Sequence, residues 1–259
     1  MEFIEDCRDN INSNFDYPNL NSNFELSFIS LDSGGYIAGN NNLFKEIPHD
    51  DLFKLILKEA VKGTSIIKIG SGNPKVMIVS GIHGNELPPQ LASLNLIKEL
   101  SNKIINGTIY IVPFAAPKST MENKRSFKGM DLNRSTHKRG SLSNLILKKI
   151  QELGVIALAD FHSTSISSNP GREGVFCSLN PCKSSQLIGE YISKKTNSKL
   201  LWYEIAGSSY SGALEDECNL IGIPAITCEV VSPFGYILKN SPKHSLAQMK
   251  SFLSYFKII

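Results

Sequence analysis

The sequence predicts an α/β protein, with a mostly parallel or mixed central sheet and helices on both faces. Apolar runs of strand length, such as KVMIVS at 75–80, TIYIVPF at 108–114 and VIALADF at 155–161, recur along the chain. Between them lie stretches with apolar residues at helical spacing, and that alternation favours parallel neighbours joined by crossover helices. The apolar fraction of 41% over 259 residues is enough for a sizeable core.

Residues 1–45 are rich in Asn, Asp and Ser and read as an irregular lead-in with one strand around FELSFISL at 24–31. Residues 1–60 are expected to form an amino-terminal extension packed on a single unit of residues 61–259. At 50–62 Asp50 is placed to cap a helix that Gly63 stops. TSIIKIG (64–70) and KVMIVSG (75–81) then read as two adjacent strands joined by the short connection SGNP. Residues 86–102 follow as an amphipathic helix, where Pro88 and Pro89 are tolerated because the first turn has no amide partners to lose. After the strand at 108–114 comes a polar excursion, 115–140, expected at the surface. A helix at 141–153, the strand 155–161 ending at His162, a strand near 174–178, a helix at 184–195 and the strand KLLWYEI (199–205) come next. A helix at 211–221, the strand PAITCEVV (224–231) and a helix at 242–256 complete the pattern, with no repeat and no linker.

Composition excludes several classes of function. Lys and Arg number 27 against 24 Asp and Glu, so the net charge of +3 is too weak to call for a nucleic-acid partner. The five cysteines, at 7, 177, 182, 218 and 228, are odd in number and lack paired CxxC spacing, which argues against a disulfide framework and for a reducing compartment. Cys177 and Cys182 could ligate a metal, but with no second pair they read better as buried thiols. The start MEFIEDCRDN carries acids where a secretory leader has bases, and no apolar run reaches about 18 residues. A cytoplasmic location with no membrane contact is therefore expected, and the sequence leaves a homo-oligomer open.

The chemistry gathers at strand ends. In KVMIVSGIHGNE, Gly81 and Gly84 break the strand and leave His83 and Glu86 at its carboxyl edge, where open α/β sheets place ligands. An imidazole and a carboxylate three positions apart can grip a divalent metal from one side. His162 stands at the same kind of edge, either as a hydrogen-bonded edge residue or as the third ligand of an open tetrahedral site. Asp160, two residues earlier, either orients a ligating histidine or caps nearby backbone. Glu229 puts a carboxylate inside an apolar strand, where it either ion-pairs with an arginine or faces a metal-activated water as general base. In the excursion, Arg125, Asn133 and Arg134 gather around FKGMDLNR, with Lys124, Lys128, Lys138 and Arg139 nearby. Arginine suits both a developing oxyanion and a carboxylate.

GIHGNE, DLNR, DFHST and PAITCEVVSPFG, in this order and spacing, resemble the succinylglutamate desuccinylase and aspartoacylase family within the zinc carboxypeptidase superfamily. The resemblance spans roughly residues 64–236 and implies a zinc-carboxypeptidase-like fold. It implies that His83, Glu86 and His162 hold one Zn2+ per chain and that Glu229 is the general base. It further implies that Arg125 polarises the scissile carbonyl while Asn133 and Arg134 hold a carboxylate of a small anionic substrate. The interval from Arg125 to Asn133 resembles the desuccinylase branch. Because the chain runs only to Ile259, the separate carboxy-terminal β domain of some relatives is expected to be absent, and Arg172 is a further candidate anion contact.

The resulting expectation is a zinc-dependent amidohydrolase acting on an N-acyl amino acid or similar small amide. The alternatives are a metallocarboxypeptidase acting on short peptides and a binding protein without turnover. A serine hydrolase is disfavoured, as no GxSxG turn occurs.

Overall fold

Strand-length apolar runs separated by helical ones close into one eight-stranded mixed sheet in the computed structural model, which describes residues 24–259. The chain runs β1 (Phe24–Ser30), α1 (Asn41–Phe44), α2 (Asp51–Lys62), β2 (Thr64–Ser71), β3 (Lys75–Ser80), α3 (Leu87–Leu100) and β4 (Gly107–Val112). It continues through α4 (Pro117–Met121), α5 (Leu142–Glu152), β5 (Ala157–Thr164), β6 (Gly174–Asn180), α6 (Lys183–Thr196) and β7 (Lys199–Ile205). The last elements are α7 (Leu214–Leu220), β8 (Ala225–Val231) and α8 (Ser241–Tyr255), with single 3-10 turns at Ile37–Gly39 and Leu132–Arg134. Residues 1–23 of the predicted extension lie outside the described residues.

The strand order is β1-β2-β4-β3-β5-β8-β6-β7. Pairs β3–β4, β3–β5, β5–β8 and β6–β7 are parallel, and β1–β2, β2–β4 and β6–β8 are antiparallel. Every residue of β4 and β5 is buried, which is why their sequences are continuous apolar runs and not alternating ones. One core cluster, including Ile78, Ile111, Phe161 and Phe252, lies on the face covered by α2, α3 and α8, and a second, including Met77, Val79, Leu132 and Ile146, lies on the face covered by α5 and α7. Burying side chains of the size of Ile78 or Ile111 stabilises by about 1.5–3 kcal/mol each.

Helix starts follow the expected chemistry. Asp50 Oδ1 accepts from Leu52 N at 3.0 Å at the head of α2, and Ser141 Oγ accepts from Asn144 N at 3.1 Å at the head of α5. Pro88 and Pro89 lie in the first turn of α3.

Four expectations need correction. The strands β2 and β3 are not hydrogen-bonded neighbours, because β4 lies between them. The connection at residues 72–74 straddles the start of β4: Thr108 N donates to Pro74 O at 2.8 Å and Thr108 Oγ1 donates to Gly72 O at 2.8 Å. Gly107, with φ +103°, is required there, since a Cβ would stand 2.4 Å from Pro74 O. Second, the polar excursion is not simply a surface loop. Phe127 and Leu132 enter the core, and Ser119 and Thr120 are buried with their hydroxyls donating to Ser126 O and Gln90 Oε1. Satisfied hydrogen bonds allow so polar a segment to be buried. Third, the strand does not end at His162, which lies inside β5, two residues before its last residue. The lead-in is also more regular than expected, with β1 pairing along β2 and Ile37, Leu43 and Ile47 in the core.

Candidate metal centre and pocket

Three segments bring the site together. Where β3 ends, the chain turns through Gly81–Asn85 and enters α3, leaving His83 and Glu86 2% and 3% exposed. Glu86 occupies the N-cap position of α3, yet its carboxylate makes no cap bond and faces the two histidines. The positive end of the helix favours that negative charge. Gly84 is held against α4: a Cβ there would stand 2.1 Å from Ser119 C and 2.3 Å from Thr120 N. Gly84→Ala is expected to push this turn off its support, lowering stability by roughly 1–3 kcal/mol and weakening metal retention, measured by melting and by metal content after dialysis.

β5 and β8 supply the other side. They pair in parallel with His162 level with Glu229 and Asp160 level with Thr227, so these four side chains project from one face of the sheet. Glu86 bridges the two histidines: its Oε1 lies 2.9 Å from His83 Nδ1 and its Oε2 lies 2.8 Å from His162 Nδ1. Ser163 N donates to Glu86 Oε2 at 3.1 Å. The ring centroids are 4.9 Å apart, and one ligand atom from each of His83, Glu86 and His162 lies within 4.8 Å of the others. The other ring nitrogens face carboxylates, His83 Nε2 to Asp131 Oδ1 at 3.0 Å and His162 Nε2 to Asp160 Oδ2 at 2.8 Å.

The donor set suits a zinc ion. Two imidazole nitrogens and a carboxylate, all buried, are the ligand types of a catalytic zinc site, and the two outer aspartates would fix the ring tautomers. The local charges lead to the same place. Burial alone would raise the Glu86 carboxyl, but the adjoining His83 and His162 hold it well below the carboxylate range. Burial alone would lower the His162 imidazole, yet Asp160 and Glu86 push it well above its usual value. The surroundings therefore call for positive charge between these groups, which a proton or a metal ion can supply. Asp131→Asn and Asp160→Asn are each expected to weaken zinc binding about 10- to 100-fold, measured by competition with a chelating dye.

A pocket opens on this cluster, lined by Arg125, Asn133, Arg134, Glu229 and several aromatic side chains. Glu229 faces it with Oε2 buried and without a hydrogen-bond partner, and no ion pair to an arginine occurs among the described residues. Burial, reinforced by the charge of Glu86, pushes its carboxyl well above the usual range. Arg125, 43% exposed in its side chain, pairs with Glu86 Oε1 at 3.2 Å and Asp131 Oδ2 at 3.1 Å. Asn133 accepts from Leu214 N at 2.9 Å through Oδ1 and turns Nδ2 to within 3.4 Å of His162 Nε2. Arg134 donates to Asn133 O and stacks its guanidinium 4.9 Å from the Tyr210 ring. All seven predicted site residues thus line one pocket. Arg172 is exposed and outside it. Cys177, Cys182, Cys218 and Cys228 are free and buried, and none joins a metal-ligand cluster among the described residues.

Two functional candidates escaped the sequence reading. Asp131 belongs to the DLNR motif, where its ready role as a turn former hid it; the structure has it accepting from Asn133 N at 2.9 Å as well as facing His83. Burial would raise its carboxyl, but His83 and Arg125 hold it well below the usual range. Glu215 reads as an ordinary solvated acid beside Asp216 and Glu217, and only the docking of α7 turns it into the pocket.

Residues 72–170 match the succinylglutamate desuccinylase/aspartoacylase catalytic domain, a span that contains His83, Glu86, Arg125, Asn133, Arg134 and His162 but not Glu229. No curated protein matches the chain in sequence. Among solved structures, an aspartoacylase family protein of Mesorhizobium loti is 22% identical with a TM-score of 0.58, over 76% of this chain and 62% of that one. A succinylglutamate desuccinylase/aspartoacylase of Rhodobacter sphaeroides is 15% identical with a TM-score of 0.60, over 76% and 59%. A metallo-carboxypeptidase of Burkholderia cenocepacia is 13% identical with a TM-score of 0.57, over 90% and 65%. The match thus spans less than two thirds of each of these proteins. Among the described residues no helix is long and apolar enough to cross a membrane. By sequence over residues 72–170 and by fold over three quarters of the chain, the protein is similar to the succinylglutamate desuccinylase/aspartoacylase family, on a metallocarboxypeptidase-like α/β fold.

Proposed function

We propose that the protein is a zinc-dependent hydrolase that cleaves the amide bond of an N-acyl amino acid or a similar small amide. The observation that carries this reading is the meeting of His83, Glu86 and His162 around one point, with Glu229 level with His162 on the adjoining strand. His83, Glu86 and His162 would hold the ion. When bound, it supplies a Lewis acid that makes water acidic near pH 7 and polarises a carbonyl oxygen.

The chain's own residues do the rest. Glu229, whose Oε2 has no competing partner, takes a proton from the attacking water and passes it to the departing nitrogen. Arg125 brings a fixed positive charge to the carbonyl oxygen, where negative charge develops. Asn133 and Arg134 hold the carboxylate of the amino-acid portion, the guanidinium pre-oriented by its stacking on Tyr210. Asp131 and Asp160 keep the histidine rings in one orientation through Nε2. The partner is a small anionic substrate, and the cysteine pattern favours a cytoplasmic location.

The test is hydrolysis by zinc-loaded protein of a panel of N-acetyl, N-succinyl and N-formyl amino acids beside dipeptides of the same residues. Turnover of the acyl amino acids is expected. Turnover of dipeptides alone would assign the pocket to a metallocarboxypeptidase, and turnover of neither would overturn the reading.

A further inference from the structure

Phe234 is a pocket side chain that the core does not hold. It lines the pocket and is 37% exposed, in the turn Pro233–Tyr236 that follows β8. Tyr236 N donates to Pro233 O at 3.1 Å to close the turn, and Gly235 takes φ +78° at its third position, where turns of this kind place glycine. Ser232 braces the base, its hydroxyl donating to Tyr236 O at 2.8 Å and accepting from Leu238 N at 3.0 Å. These bonds fix the shape of the turn. They do not fix the place of its tip, and with Pro233, Phe234 and Tyr236 all exposed, apolar burial contributes little to doing so.

Polar contacts from distant segments do. Gly235 is buried and both of its main-chain groups are bonded: its N–H donates to Asn85 O at 2.6 Å, and its carbonyl accepts from Asn42 Nδ2 at 2.9 Å and from Asn123 Nδ2 at 3.4 Å. Asn85 stands between His83 and Glu86, and Asn123 is two residues before Arg125. Asn42 belongs to α1, 193 residues from Gly235 along the chain. The clamp is itself braced, since Asn40 Nδ2 donates to Thr120 O at 2.7 Å and to Asn123 Oδ1 at 3.3 Å. It is also close-fitting: a Cβ on Gly235 would stand 2.5 Å from Asn123 Nδ2. The turn is thus moored to the segments that carry Glu86 and Arg125, whereas Asn133 is bonded to the α7 segment through Leu214 N. We propose that Asn42 is a positioning residue of the pocket: through Gly235 O it holds Phe234 as the wall along which the acyl side of the substrate packs. Asn42, Phe234 and Gly235 all lie outside residues 72–170, so the match to the family domain does not account for this wall. The inference rests on the reading of the pocket as the site of a zinc-dependent amide hydrolase, with the amino-acid portion held by Asn133 and Arg134.

Hydroxamates bind zinc directly, so the wall can be read without turnover. Calorimetric titration of zinc-loaded protein with benzohydroxamic acid and with acetohydroxamic acid gives a ratio of Kd values that reports on it, because the two probes differ only in the group on the carbonyl carbon. In Phe234→Ala the preference for the phenyl compound should fall about 3- to 10-fold, the worth of a partly exposed aromatic contact. Asn42→Asp keeps the shape but has no donor for Gly235 O, and it should produce a fall of similar size. Asn42→Ala, which adds no charge, should act in the same direction. Because both residues act at one wall, the double variant Asn42→Ala with Phe234→Ala should lose little beyond either single change. A preference unchanged in Phe234→Ala overturns the wall, and a preference unchanged in both Asn42 variants overturns the positioning role. A merely structural Asn42 would lower Tm in both variants and leave the preference at its wild-type value, which overturns the inference as well. Hydrolysis of the N-acyl panel by the wild-type protein, with the preference unmoved in the variants, removes this inference and keeps the hydrolase reading. Absence of any zinc-dependent hydroxamate binding removes both.

Discussion

Glu229→Gln is expected to keep its metal and to lower kcat about 10²- to 10⁴-fold, the usual worth of a positioned general base. The amide fills the same volume, so the pairing of β5 with β8 that sets Glu229 level with His162 should survive. What disappears is the ability to accept a proton at Oε2, a buried pocket oxygen without a hydrogen-bond partner. Metal content by elemental analysis and kcat by single-substrate kinetics check the two halves separately. A variant with full metal and full turnover would remove Glu229 from the chemistry. A pH profile adds a third check. Because burial and the charge of Glu86 raise the Glu229 carboxyl, the proton-accepting form appears only above the ordinary carboxylate range, and activity should fall as pH drops through that raised value.

Stripping the metal should have the second large effect. Dialysis against a chelator is expected to reduce hydrolysis to background, and one equivalent of zinc should restore it. His162→Ala should respond to neither step, since it lacks one of the three converging ligands. Stability should move in the same direction. At a free zinc concentration of about 100 times Kd, binding to the folded state alone adds about 2.7 kcal/mol. At roughly 2–4 °C per kcal/mol for a chain of this size, Tm should rise by several degrees. The gain is plausible on electrostatic grounds, because in the bare protein a proton on His162 must answer the charges of Glu86 and Asp160. Equal Tm and equal activity with and without metal would mean that these three side chains form a structural hydrogen-bond network.

Much of this was legible in the primary structure. The alternation of buried strands with amphipathic helices follows from local periodicity, and the helix limits from Asp50, Ser141 and the prolines of α3. Four short motifs carry six of the seven predicted site residues, all but Arg125, because a tight turn after a buried strand leaves few positions where a polar side chain can reach the sheet edge.

Contacts between distant segments were not legible in that way. The interposition of β4 between β2 and β3 depends on a turn that closes over Gly107, and nothing in the periodicity of either strand encodes it. The burial of the polar excursion depends on partners supplied from elsewhere in the fold, with Gln90 Oε1 accepting from the Thr120 hydroxyl and Asn40 Nδ2 donating to Thr120 O. Asp131 and Glu215 look like ordinary turn and surface acids until His83 and the docked helix α7 give them their surroundings. The sequence by itself determined the class of fold and the side chains able to bind a metal, since both follow from residue type and local spacing. Which carboxylates support the histidines, and which pocket carboxylate keeps a buried oxygen without a hydrogen-bond partner, only the tertiary structure decided, because burial and partners at those positions are set by segments brought together from distant parts of the chain.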